Sequence, residues 1–270
     1  MYDIEPQEYN ANNFLKKSST AKQPLIITVS FELRKLLEIR FEPKTIFKII
    51  TLLVIILVVI STVGQMYKYI LADGNENILI KLFYLNNEKN LPTAYSSLSL
   101  LFCSLLLAVI AINKHIRSDR YRFHWTTLSL IFLYLSVDEA ISIHEKSIET
   151  TRNLLNTTGF FYYAWIIPVM FLLVIFILFY LKFIKRLPQK TRFLFLFAGM
   201  LFIVGALGIE MIGAKIYVMQ NKSEKNLIYA MVATLEETLE MMGTTVFIYA
   251  LLDYIKKYIR YSNLQVVLKR

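Results

Sequence analysis

The chain has 270 residues, 56% of them hydrophobic and 14% aromatic, with a mean hydropathy of +0.49 and a formal charge of +10. Soluble domains run nearer about 45–50% apolar and lack repeated uninterrupted apolar runs, so an ordinary soluble domain is excluded. In so apolar a chain a basic excess marks cytoplasm-facing loops of a membrane protein rather than nucleic-acid binding. The single cysteine, Cys103, excludes a disulfide framework and a CxxC metal or redox motif.

Residues 1–44 are polar and basic and contain no apolar core of a signal peptide. Within them Leu33, Leu36, Leu37 and Phe41 fall at helical spacing against Glu32, Arg34, Lys35, Glu38 and Arg40. That pattern predicts a short amphipathic helix over Ser30–Phe41, on the membrane surface or packed on the ends of the bundle. Residues 45–258 read as a transmembrane domain and 259–270 as a basic cytoplasmic tail.

Six apolar runs are long enough to cross a hydrocarbon core of about 30 Å, which takes about 20 helical residues. They lie near Ile46–Tyr67, Tyr95–Ile112, Phe123–Ile143, Phe161–Ile184, Phe193–Met219 and Leu227–Ile255. Backbone groups in lipid must be satisfied within the segment, so the runs predict an all-α bundle of about six helices. Asn77–Leu85 is too short to span and is expected at the outer interface; Pro168 is expected to kink the fourth span. Of the 30 Lys and Arg residues, 22 fall at one set of helix ends and 8 at the other, which predicts both termini in the cytoplasm.

Ionisable residues inside such spans are costly and point to function by default. The third span ends on Asp138, Glu139, His144 and Glu145, the fifth contains Glu210, and the sixth contains Glu236, Glu237 and Glu240. Counted from Arg122, Arg192 and Lys256 at about 1.5 Å per residue, Asp138, Glu210 and Glu240 stand roughly 24, 27 and 24 Å from the basic side. Three helices therefore present a carboxylate at nearly one depth, in the outer third of the membrane. At about 100° per residue Asp138, Ser142 and Glu145 share one stripe, with His144 on its flank, and Glu236, Glu240 and Gly243 share another. Gly199, Ala206 and Gly213 recur every seven residues beside Glu210, predicting a small-residue seam.

Ionised acids crowded at low dielectric need a cation, shared protons or a basic partner. No Lys or Arg falls at that depth, Lys215 and Lys146 being the nearest. The expected metal-binding set is Asp138, His144, Glu145, Glu210, Glu236 and Glu240, with Glu139, Glu237, Ser142, Tyr217 and Tyr229 supporting it. Oxygen-rich ligation with one imidazole suits iron, manganese, calcium or magnesium better than structural zinc. The match to di-iron carboxylate bundles is partial, because those pair Glu-x-x-His on two helices and here Ile141 stands three residues before His144. His115 and His124 read as interfacial, and the chain has no glycine-rich phosphate loop and no GxSxG elbow.

The stretches Leu135–Glu145 (LSVDEAISIHE), Gly205–Gly213 (GALGIEMIG) and Thr234–Gly243 (TLEETLEMMG), followed by Val246–Leu252, resemble a group of uncharacterised multipass membrane proteins of bacteria, particularly cyanobacteria. The resemblance covers roughly residues 95–255. It implies a bacterial plasma membrane or a thylakoid-type membrane and transfers no substrate, cofactor or mechanism. The expectation is an integral membrane protein with a cation-binding acidic centre in a structural, assembly or sensing role, with lipids and a protein partner or second copy around it. A metal-dependent enzyme acting on a lipid or small molecule and a proton- or metal-coupled transporter remain alternatives.

Overall fold

The computed structural model describes residues 42–72, 75, 77–223 and 226–259, so the expected amphipathic helix at Ser30–Phe41 and most of the basic C-terminal tail lie outside the described residues. Every regular element among the described residues is helical. The first helix, α1, runs Pro43–Met66, with Pro43 in its first turn where a missing N–H costs nothing, and continues as a π-helical turn over Tyr67–Leu71. Asn77 caps the short α2 (Ile78–Phe83) by accepting from Ile80 N at 2.9 Å. Asn90 caps α3 (Leu91–Ile116) by accepting from Thr93 N at 3.0 Å. Helix α4 spans Arg122–Ile141 and α5 Ile143–Leu155, followed by α6 at Ile166–Arg186. Helix α7 (Gln189–Ile203) passes through a π-helical turn at Val204–Ile209 into α8 (Glu210–Met219). The last and longest helix, α9, covers Leu227–Tyr258 and is capped by the Asn226 side chain, which accepts from Ile228 N at 2.7 Å.

Four segments are long and apolar enough to cross a membrane: Pro43–Leu71, Leu91–Ile116, Ile166–Arg186 and Gln189–Met219. The pair Arg122–Ile141 and Ile143–Leu155 would make a fifth, but it bends by 83°. Helix α9, at 32 residues, has the length but not the apolarity, because it carries three glutamates. It packs against α1, α3, α7 and α8, and residues on every side of it are buried from Gly243 to Ile248. Around the glutamates the enclosure is partial: Leu235 is exposed and Glu236, Glu237 and Glu240 are half-buried.

Helices α3 and α4 form an antiparallel pair held by two reciprocal serine clasps. Ser97 Oγ donates to Ser136 O at 2.8 Å, and Ser136 Oγ donates back to Ser97 O at 2.8 Å. Two turns away Ser104 Oγ and Ser129 Oγ exchange the same bonds at 2.8 and 2.9 Å. Such interhelical bonds contribute about 0.6 kcal/mol each in a membrane, and small side chains at these levels let the backbones approach. Toward the basic end, Trp125 packs edge-on to Phe183 and tilted on Tyr254, each at 5.0 Å, in the largest apolar cluster.

The α3–α4 turn is fixed by Asp119, whose Oδ1 accepts from Tyr121 N at 2.8 Å while Oδ2 pairs with Lys114 Nζ at 3.0 Å. Burial pushes this carboxyl up, but the Tyr121 N–H and the Lys114 ammonium outweigh it and hold it below its ordinary value. Asp119→Ala is expected to cost roughly 1 kcal/mol at neutral pH, since the site is partly exposed. A group with a depressed folded pKa gives stability that is present above the unfolded value and lost as pH falls through the folded one. The gap between variant and wild type in thermal unfolding should therefore close under acid below the usual carboxylate range.

Three expectations from the sequence are corrected here. The third span does not run on as one helix through Ser142: that residue takes a left-handed conformation (φ 52°, ψ 56°) and the chain turns, so Asp138, Ser142 and Glu145 share no stripe. Pro168 does not kink a span, because α6 begins only at Ile166 and the proline sits in its first turn, where no helical N–H is lost. The Gly199–Ala206–Gly213 seam is broken, because the π-helical turn at Val204–Ile209 shifts the helical phase between its members. Gly199 faces open space, and the close contact is made by Gly205, where a Cβ would lie 2.9 Å from Glu236 O and 3.0 Å from Glu240 Cγ.

Candidate functional site

The bend at Ser142 builds the first part of the site. It lets α5 fold its first turn back over the end of α4, where Asp138 receives it: His144 N donates to Asp138 Oδ1 at 2.9 Å, and His144 Nδ1 lies 2.7 Å from Asp138 Oδ2. One carboxylate thus caps α5 and fixes the imidazole ring. Trp165, at the start of α6, tilts against that ring with centroids 4.9 Å apart. Its indole N–H donates to Glu210 Oε1 at 3.0 Å. Asp138, His144, Trp165 and Glu210 form one continuous chain of contacts from α4 to α8.

Glu210 is 8% exposed and opens α8 directly after the π-helical turn. Helix α9 supplies the other side. Gly205 lets it approach so closely that the Glu236 carbonyl and the Glu240 side chain press on the α7–α8 backbone. Glu236 lies within electrostatic reach of Glu210, Glu237 and Glu145. Glu237 reaches Glu139, Glu145 and Glu210, and Glu240 reaches Glu237, Glu236, Glu139 and Glu210. His144 is the one basic side chain acting on Glu139 and Glu210. Glu236, Glu237, Glu240 and Glu139 are half-buried, and Glu145 is exposed.

The roles within the third-span pair differ from a stripe-based reading. Glu139, expected only to support the site, faces the α9 acids, whereas Asp138 is committed to His144. Glu237 belongs among the interacting carboxylates as fully as Glu236 and Glu240 do. Ser142 acts through its backbone bend and through a hydrogen bond to Glu88. Tyr229 OH and Tyr163 OH are 3.0 Å apart, and Tyr217 stands against Tyr162, Tyr163 and Tyr229 with centroids 5.3, 6.0 and 6.1 Å away. These tyrosines gather where α6, α8 and α9 begin or end on the side away from the basic core.

Sequence reasoning missed Glu88 and the contacts of Trp165 with His144 and Glu210. Glu88 is exposed in the loop before α3, and its hydrogen bond with Glu145 holds its carboxyl below the ordinary value against partial burial, helped by Ser142, Lys89 and Lys146. Nothing in the polar loop around Glu88 distinguishes it by sequence. Trp165 could have been flagged as an indole N–H in need of an acceptor once buried. Among the described residues no group of three or more His, Cys, Asp or Glu side chains is placed to hold a metal ion.

Comparison with curated proteins and with solved structures gives no match. A family model described as a domain of unknown function (DUF8692) covers residues 49–255, the stretch that carries the whole acidic cluster, and the chain belongs to that family.

Proposed function

We propose that this protein is a six-span membrane protein, with both termini in the cytoplasm, whose acidic centre binds a cation in the outer third of a bacterial plasma or thylakoid-type membrane. The single observation that carries the reading is a charge imbalance. Glu240 lies within electrostatic reach of Glu139, Glu210, Glu236 and Glu237, and among the described residues no Lys, Arg or His acts on the three α9 carboxylates, the imidazole of His144 acting only on Glu139, Glu145 and Glu210. Several carboxylates cannot stay ionised together in a membrane without a cation or protons to compensate them. The topology is supported by the 22 to 8 distribution of basic residues, by the 32-residue length and burial of α9, and by α5 lying beyond the bend.

The side chains do not form a closed shell, so the ion that suits them keeps part of its water or draws carboxylates in by rotamer change. Hard, oxygen-seeking cations such as calcium, magnesium or manganese, or ferrous iron, fit that chemistry. The π-helical turn immediately before Glu210 is a feature frequent at functional sites. A bound cation would tie α4, α8 and α9 together, which makes a structural, assembly or sensing role the simplest use of the site. A second reading, a metal-dependent enzyme acting on a lipid or small molecule, has one observation in its favour. The acids are half-buried rather than sealed, which leaves a route for a substrate.

Trp165 gives the test its signal. The chain has two tryptophans, and Trp125 is buried in the distant apolar cluster. In a Trp125→Phe background, titrating calcium, magnesium, manganese or ferrous iron into chelator-treated protein is expected to change Trp165 emission saturably, through its bond to Glu210. Glu240→Gln should abolish the change, although Glu240 does not touch the indole. A flat titration with every cation contradicts the proposal.

A further inference from the structure

At the end of the molecule opposite the acidic centre, α1 and α7 both pack on α9 and leave a groove between them. The groove has a volume of about 440 Å³. Phe47 forms one wall, Phe193, Leu194 and Phe197 the other, and Val246 and Tyr249 of α9 the floor. Phe47 and Tyr249 close it with ring centroids 5.4 Å apart. Phe193 is 66% exposed, so the groove is open sideways, where a membrane protein meets acyl chains rather than water.

The mouth is basic. Lys44 and Lys48, one turn apart on the first turns of α1, line the groove and are both exposed. Neither forms a hydrogen bond or ion pair among the described residues, in contrast to the neighbouring Lys190, which donates to Asp253 Oδ1 at 2.9 Å and to Tyr249 OH at 3.1 Å. Lys256 is likewise committed, to Glu42 at 2.8 Å. Among the described residues Asp253 and Glu42 at this end are therefore already paired, while two ammonium groups beside an apolar slot are not. The N-terminal end of α1 adds its own positive helix dipole at the same place.

We infer that this groove binds an anionic phospholipid of the adjacent leaflet, one acyl chain lying between α1 and α7 and the phosphate held by Lys44 and Lys48. A basic pocket between membrane helices is the arrangement that recognises anionic headgroups, and long lysine side chains reach from apolar walls to the interface. Charge complementarity selects this occupant over a zwitterionic lipid, which would leave the two ammoniums uncompensated. The site is independent of the acidic centre and shares no residue with it.

Native mass spectrometry of the delipidated full chain tests the inference. The protein is titrated with phosphatidylglycerol and with phosphatidylcholine of the same acyl chains. Phosphatidylglycerol should bind at least about tenfold more tightly, and Lys44→Gln/Lys48→Gln should remove most of that preference while leaving phosphatidylcholine binding unchanged. Leu194→Trp, which fills the slot and keeps the lysines, should weaken phosphatidylglycerol binding by a similar factor. Lys182→Gln/Lys185→Gln removes the same charge elsewhere at this end and should leave the preference intact. Equal loss in that control, or an unchanged preference in the Lys44/Lys48 variant, overturns the assignment. So does a lipid-free dimer that Leu194→Trp dissociates, because the groove would then be an interface between copies.

Discussion

Calcium or manganese added to tag-free, chelator-treated protein in mild detergent is expected to raise its unfolding temperature, and Glu210→Gln combined with Glu240→Gln to abolish the rise. A ligand that binds only the folded state adds about 2.7 kcal/mol at a concentration one hundred times its dissociation constant. The two substitutions remove one carboxylate from α8 and one from α9, which act on each other electrostatically, Glu240 standing against Gly205. They also remove negative charge from a crowded, ion-free site, which relieves repulsion. The variant should accordingly match or exceed wild type in chelator and fall below it in metal. That crossing of the two curves separates a binding defect from a folding defect, because a misfolded variant is weaker under both conditions.

Gly243→Ala is expected to destabilise the bundle by about 1–3 kcal/mol, the usual cost of forcing an extra methyl into a packed core. A Cβ at Gly243 would stand 2.8 Å from Phe202 N and 2.9 Å from Ala198 O. Both obstacles are backbone, so α7 and α9 must separate rather than adjust a side chain. Because the same helix pair carries the Gly205 contact that presents Glu240, the variant should also weaken metal-dependent stabilisation. Gly199→Ala supplies the opposite sign: nothing lies within 4 Å of its Cβ position, and replacing a mid-helix glycine gains up to about 1 kcal/mol. Thermal unfolding of both variants in the same detergent checks the pair of predictions. Equal effects at the two glycines would mean that the α7–α9 contact is not as close as described.

What the sequence makes legible is set by long-range periodicity and by the cost of charge in lipid. Uninterrupted apolar runs near Ile46–Tyr67 and Tyr95–Ile112 mark α1 and α3, because length alone separates membrane helices from other elements. The acids stand out for the complementary reason: Glu210 and Glu236 are conspicuous in apolar surroundings. Local departures from helical geometry are not legible. Ser142 adopts a left-handed conformation without being glycine or asparagine, and no proline announces the bend. The π-helical turn at Val204–Ile209 contains two glycines, but glycine content does not specify an inserted residue. These two features decide which carboxylate faces which. The bend commits Asp138 to His144 and leaves Glu139 toward α9, and the shifted phase puts Gly205, not Gly199, at the contact. The serine clasps between α3 and α4 escape notice for another reason, since serine in a span has many uses and its partner is known only once the helices are paired.

Elemental analysis of the untagged protein, purified in mild detergent beside Glu210→Gln/Glu240→Gln, tests the central claim most directly. The account predicts near-stoichiometric divalent metal in the wild type and none in the variant, with both folded. Metal-free wild type after purification in metal-supplemented buffers, or equal metal in the two proteins, would contradict it.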